Sequence, residues 1–237
     1  NYKADTKLTN AKLTGIPTLE KISAIEGSIA ITPNLLSTTQ LNFQAFDTPL
    51  SFSGKLEDFS KPKVDGSISA NNVDLQKLTP FLPKNIKEQI NLNGFASFNA
   101  QYSGKAHPLN RDDITFTANL NSVNIESTRL KKPIKNINGD IRYKKDLVTW
   151  KNLSGTYDSD AYTLSGNLEN FSRPTVITSL DGKELNFETN INILRGAIQI
   201  TSLKGKFHNT TFGILGDVKF PEDQTPDMDL RVNLDIN

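Results

Sequence analysis

Apolar and polar residues alternate with a period of two along most of the chain. Tyr162, Leu164, Gly166 and Leu168 share one phase; Ile191 and Ile193 do so before Arg195-Gly196, and Ile198 and Ile200 resume it afterwards. The same beat runs through Ile90, Leu92, Ala96, Phe98, Ala100 and Tyr102, through Ile114, Phe116, Ala118 and Leu120, and through Met228, Leu230, Val232, Leu234 and Ile236. Period two belongs to the β-strand, whose successive side chains point to opposite faces. Between these runs stand Tyr157-Asp158-Ser159-Asp160, Phe207-His208-Asn209-Thr210 and Phe46-Asp47-Thr48-Pro49. Asp, Asn, Ser, Gly and Pro are the residues that tight turns require. Roughly a dozen to sixteen strands of ordinary length fit the chain, and short connections make neighbours antiparallel. The expected fold is mostly β.

Residues 74–89, DLQKLTPFLPKNIKEQ, break the alternation. Asp74 and Thr79 suit helix N-caps, and Pro80 and Pro83 suit first-turn positions. Leu75, Leu78, Leu82 and Ile86 fall on one helical face. One or two short helices, broken at the prolines, are expected here.

A nine-residue phrase occurs twice, as GKLEDFSKP from Gly54 to Pro62 and as GNLENFSRP from Gly166 to Pro174, an offset of 112 (166 − 54). The same offset carries Ile25, Gly27 and Ile29 onto Ile137, Gly139 and Ile141, and Leu41 onto Leu153. A second offset of 50 (216 − 166) carries Leu153, Gly155, Tyr157, Tyr162 and Gly166 onto Leu203, Gly205, Phe207, Phe212 and Gly216. The chain is therefore expected to be one repeat-built β domain over 1–237, with units near 22–62, 134–174 and 184–221. The repeated phrase reads as the end of a strand, a Phe that tucks under, and a Ser-Lys/Arg-Pro stop. Gly54, Gly166 and Gly216, at matched positions, read as bulges or bends.

Composition narrows the chemistry. Apolar residues make up 36% and the net charge is +1, which suits a sheet with one wet face and gives no electrostatic footprint for nucleic acid. Without cysteine, thiolate chemistry and disulfides are excluded. The two histidines, His107 and His208, sit in turn-like contexts and read as surface residues rather than a triad member or metal ligand. Asp112-Asp113 reads as a solvated loop, and Asp158 and Asp160 as hairpin residues, in preference to a cation site. Lys131-Lys132 and Lys144-Lys145 read as solvated edge cations, with contact to anionic headgroups as the second reading. No phosphate loop or dinucleotide fingerprint occurs. No catalytic residue, metal or cofactor is assigned, and a non-enzymatic role is expected. The polar opening NYKADTKLTN is no signal peptide. It lies mid-pattern, so a fragment of a longer protein is expected.

Three stretches together carry a family resemblance: LSGTYDSDAYTLSGNLENFSRP, SISANNVDLQKLTPFLP and IKNINGDIRY. In order and spacing they resemble the AsmA-like family (TamB/YhdP type), related to bridge-like lipid-transfer proteins, over about residues 13–220. The resemblance implies an elongated, curved antiparallel sheet shaped like a taco, with an apolar groove that shields acyl chains between two membranes. It implies a periplasmic body tied to the bacterial inner membrane by a segment outside this chain. It implies a role in phospholipid transport between inner and outer membrane, or in envelope homeostasis.

The in-phase apolar positions are then the candidate lipid-binding residues: Ile68, Phe98, Phe116, Leu120, Ile141, Tyr143, Trp150, Tyr162, Leu164, Ile191, Ile193, Ile198, Ile200 and Leu230. The expected partner is phospholipid or another acyl-chain lipid, with no nucleic acid, and with a face-to-face homodimer as one way to cover the apolar face. Alternation alone leaves a second reading open, a structural or adhesive repeat module with a closed core and no lipid.

Overall fold

The computed structural model describes residues 2–13, 22–45, 47–82, 84–221 and 225–236. Fifteen strands follow one another. They are β1 (Ala4–Leu13), β2 (Ile22–Thr32), β3 (Leu35–Ala45), β4 (Thr48–Glu57), β5 (Lys63–Asp74), β6 (Ile90–Lys105), β7 (Ile114–Ser127) and β8 (Ile134–Lys144). Then come β9 (Leu147–Tyr157), β10 (Asp160–Glu169), β11 (Thr175–Gly182), β12 (Leu185–Leu194), β13 (Ala197–Phe207), β14 (Thr210–Lys219) and β15 (Asp227–Ile236). They are antiparallel and lie in chain order from β1 to β15, as the alternation and the short turns predict. The chain divides into two compact units, Asn1–Leu120 with Tyr143–Lys145, and Asn121–Arg142 with Asp146–Asn237.

In the first unit the register sorts the sheet into two faces. Leu41, Phe52, Ile68 and Ala100 stand side by side across β3 to β6; so do Leu36, Leu56 and Val64. The alternate positions are polar: Ser51 faces Ser69, which faces Asn99, and Ser53, Ser67 and Gln101 form the next row. The buried apolar residues here are Ala45, Ala70, Val73 and Ala96. They gather where the chain leaves β5 into a 3-10 helix, Leu75–Phe81, that lies against β6. Asp74 caps that helix by accepting the Gln76 N–H at 3.0 Å, and Lys77 reaches the Asp47 carbonyl at 3.3 Å. Thr79 caps nothing: it lies inside the 3-10 helix, and its carbonyl accepts the Leu82 N–H at 3.1 Å. A single α turn follows, α1 (Lys84–Lys87). Pro83, Phe46 and the side chains of Pro80 and Ile86 lie outside the described residues.

The second unit repeats the two-faced pattern from β9 to β15. One row runs Val148, Leu168, Val176, Ile191, Ile200, Gly216, Leu230; another runs Leu153, Leu164, Leu180, Phe187, Gly205, Phe212, Leu234. The opposite face carries Ser165, Ser179, Glu188 and Lys204 in one row and Thr175, Asn192, Gln199 and Asp217 in another. Thr175, Asn192 and Gln199 link side chain to side chain at 3.0 and 3.1 Å.

The internal repeat is a repeat of backbone events. A bulge places one extra residue in β3 between Thr38 and Leu41, in β9 between Trp150 and Leu153, and in β13 between Ile200 and Leu203. These positions are separated by 112 (150 − 38) and 50 (200 − 150). Gly54, Gly166 and Gly216 stand on the facing strands, opposite Thr38, Trp150 and Ile200. The bulge therefore sits in the strand before each glycine. In β9 the extra residue Asn152 takes φ 51°, and its N–H is satisfied by the Ser165 hydroxyl at 2.9 Å.

The turn closures keep the same offsets. The N–H of Asp58 bonds the Asn34 carbonyl, Asn170 the Asp146 carbonyl, and Phe220 the Gly196 carbonyl, at 3.0, 3.0 and 2.7 Å. In the repeated phrase Asp58 and Asn170 take φ 54° and 57°, a conformation short polar side chains tolerate. Each carbonyl accepts the N–H three residues on, Lys61 at 2.9 Å and Arg173 at 2.8 Å. The phrase is thus a turn built on its Asp/Asn. Phe59 does not tuck under: it is 45% exposed.

Candidate functional site

Among the described residues every strand of each unit belongs to one sheet, with no second sheet to pack on its apolar face. Among the described residues only Ala45, Ala70, Val73, Ala96 and Val123 are buried apolar positions. The large apolar side chains of the rows are half-buried as far as β14, and Leu230 and Leu234 on β15 are exposed. They cover one another sideways. A β-carbon built at Gly182 would meet the Tyr162 ring at 2.4 Å, and one at Gly205 would meet the Phe212 ring at 2.7 Å. The rings therefore cover bare backbone on the next strand, the way an aromatic shields a sheet glycine. Burial pushes the Tyr162 phenol above its ordinary pKa, with Asp160 adding to the shift.

The register places most of the predicted residues on these faces. In the first unit Ile68 stands beside Phe52 and Ala100, and Phe98 beside Ala70. Phe116 stacks on Phe98 with ring centroids 6.0 Å apart, and Leu120 follows Phe116 in phase along β7. Tyr143 does more than fill space: its hydroxyl donates to the Arg111 carbonyl at 3.3 Å. In the second unit Ile141 is in phase with Gly139, which lies against Leu153. Trp150 faces Gly166; Tyr162 and Leu164 face Gly155 and Leu153. Ile191 and Ile193 pair with Ile200 and Ile198 across β12 and β13, and Leu230 faces Gly216. Ile193 is 40% exposed. The apolar surface is least covered toward β15, where Leu234 is 64% exposed.

The rows include many residues outside the predicted set: Leu41 and Phe52 in the first unit, and Leu153, Leu180, Phe187, Leu203, Phe212, Ile214 and Val218 in the second. Their signal was the same alternation, interrupted by one residue at each bulge. The face is not purely apolar. The Trp150 Nε1 is buried with no hydrogen-bond partner, and so is the Thr38 Oγ1 at the matching position 112 residues earlier. Thr178 and Thr189 turn their hydroxyls onto the carbonyls of Ser165 and Ser202 at 2.8 and 3.0 Å, which leaves their methyl groups free to face the apolar side.

The polar face carries shallow hollows. One of about 430 Å³ has Ser165, Ser179, Glu188, Asn190 and Ser202 in its lining. Another of about 370 Å³ is lined by residues including Glu26, Asn42, Ser51 and Ser69.

The titratable candidates stay in turns. His208 (φ 50°) turns β13 into β14, its Nε2 3.7 Å from Glu184 and its ring 4.3 Å from that of Phe207. His107 lies in the exposed loop after β6. Asp112 and Asp113 belong to a single 3-10 turn capped by Asn110, and Asp158 pairs with Lys132. Among the described residues no group of three His, Cys, Asp or Glu could hold a metal ion, and no helix is long and apolar enough to cross a membrane.

No family model, no curated protein and no solved structure matches this chain.

Proposed function

We propose that this chain is a non-enzymatic section of an AsmA-like protein that shields lipid acyl chains against the apolar faces of its sheet. The setting is the periplasm, with attachment to the inner membrane through a segment outside this sequence. The carrying observation is that each unit sorts its large apolar side chains onto one face that no second sheet covers among the described residues. Contiguous exposed apolar surface marks an interaction site on a soluble protein. An acyl chain is a fitting occupant, because rows of branched aliphatic side chains offer dispersion contact without any directed polar demand. Shielding a chain lowers its free energy by about 0.8 kcal/mol per CH₂ removed from water, so transfer needs no chemistry. The structural or adhesive alternative calls for a closed core, and the scarcity of buried apolar residues supports the lipid reading over it.

Uptake of a fluorescent phospholipid from vesicles tests the proposal. Saturable uptake is expected, and it should fall at least tenfold when Leu164→Asp and Ile193→Asp are combined in a variant with unchanged circular dichroism. Uptake that is absent, or indifferent to the two aspartates, would overturn it.

A further inference from the structure

We infer that Asn124 and Asn138 are positioning residues for the apolar face of the second unit: together they clasp a paired bulge in β7 and β8 that keeps the apolar side chains on one side. The inference holds whatever that face meets. Ser122 and Asn136 take φ 52° and 55° inside these strands. Such backbone is costly for a residue with a β-carbon and persists where its surroundings over-determine it. The same two events occur 112 residues earlier (122 − 10 and 136 − 24). There Asn10 and Ala24 take φ 48° and 53°. Each falls in a register shift between β1 and β2, the first between Leu8 and Ala11, the second between Ile22 and Ile25. Lys12 and Glu26 stand there in place of the two asparagines, so the paired bulge is shared and the amide clasp belongs to the second unit.

Four hydrogen bonds close a ring over the two bulges. The Ser122 N–H donates to Asn138 Oδ1 at 2.9 Å, and the Asn138 amide donates to the Asn136 carbonyl at 2.7 Å. The Asn136 N–H donates to Asn124 Oδ1 at 3.0 Å, and the Asn124 amide returns to the Ser122 carbonyl at 3.5 Å. A bulge leaves its extra residue outside the ladder, and here side chains satisfy both backbone groups of both residues. At the single bulges one hydroxyl serves one N–H: Ser97 takes that of Asn72 at 3.2 Å, and Ser165 that of Asn152 at 2.9 Å. By strand alternation the two asparagines project on the face opposite Val123 and Ile137. Val123 is 3% exposed. Ile137 lies against the next strand but one turn of phase away from Asn138: a β-carbon built at Gly155 would meet it at 3.3 Å. A three-residue step such as Ile134 to Ile137 changes face in a plain ladder and keeps it across a bulge, as Trp150 and Leu153 do. Loss of the bulge would therefore turn one half of β8 over.

Amide hydrogen exchange followed by NMR tests the clasp. Ser122 and Asn136 are exposed residues, yet in the native chain their amides should exchange as slowly as the ladder amides of β10. Asn124→Ala or Asn138→Ala should each speed both amides about tenfold, because either change opens the whole ring. The double change should add little further, since the two residues act as one unit. The cross-peak between the Ile137 side chain and the Gly155 α-protons should weaken in the double variant, while exchange in β12 and β13 stays unchanged. Fast exchange at Ser122 and Asn136 in the native chain overturns the inference before any variant is made. So does a result in which each change speeds only the amide that its side chain serves directly, which would make the asparagines two separate caps. Survival of the Ile137–Gly155 contact in the double variant would also overturn it, because the bulges would then hold without the clasp.

Discussion

Residues fix this sheet where its backbone departs from a plain ladder. Asn170 holds φ 57° in the turn after β10, so Asn170→Val should cost about 1–2 kcal/mol while Asn170→Gly stays near neutral, read by urea denaturation. Its counterpart Asp58 accepts the Ser60 hydroxyl and then the N–H groups of Lys61 and Ser60, and these bonds hold its carboxyl below the ordinary range. A lowered carboxyl pKa contributes stability that is intact above the unfolded value and lost as pH falls through the folded one. The acid limb of a stability–pH curve should therefore flatten in Asp58→Asn, which keeps the turn's acceptor without its charge. An unchanged acid limb would mean that the turn does not depend on the ionised carboxylate. At Gly182 the Tyr162 ring leaves no room for a β-carbon, and Gly182→Val should destabilise by about 1–3 kcal/mol through overpacking and lost ring cover. A neutral result would show that the ring is free to swing aside.

At the scale of elements, the strands were legible because one face of each is apolar. The candidates Ile191, Ile193, Ile198 and Ile200 meet across β12 and β13 as their shared phase requires. The bulges were not legible. Nothing about Asn152 announces an extra residue, and in an unbroken ladder the three-residue step from Trp150 to Leu153 would put them on opposite faces, although both join the apolar rows. The helical segment shows the same limit. Asp74 was readable as a cap because its side chain serves a local N–H, whereas Thr79 shares that chemistry but lies one turn too late. This segment carries an energetic role as well. It lies against β6 beside Val73, which is 1% exposed, so Val73→Ala should cost about 2 kcal/mol by transfer and cavity terms. The loss should appear first as faster hydrogen exchange in β5 and β6; a loss below about 0.5 kcal/mol would mean that the site collapses around the smaller side chain.

At the scale of the whole molecule, the chain keeps its polar surface nearly neutral, with 27 basic and 26 acidic residues, and leaves its large apolar side chains only half-covered within each unit. Mostly-β architecture followed from alternation, but alternation cannot say whether the apolar face meets a second sheet or something else. That distinction depends on what lies across from each face, which is a long-range property. Native mass spectrometry of the protein purified from a bacterial host, with extraction and analysis of any bound lipid, addresses it directly. The account predicts co-purifying phospholipid that disappears in the folded Leu164→Asp/Ile193→Asp variant. A clean protein mass, with no lipid in the extract, would contradict it and leave a β-repeat scaffold without an acyl ligand.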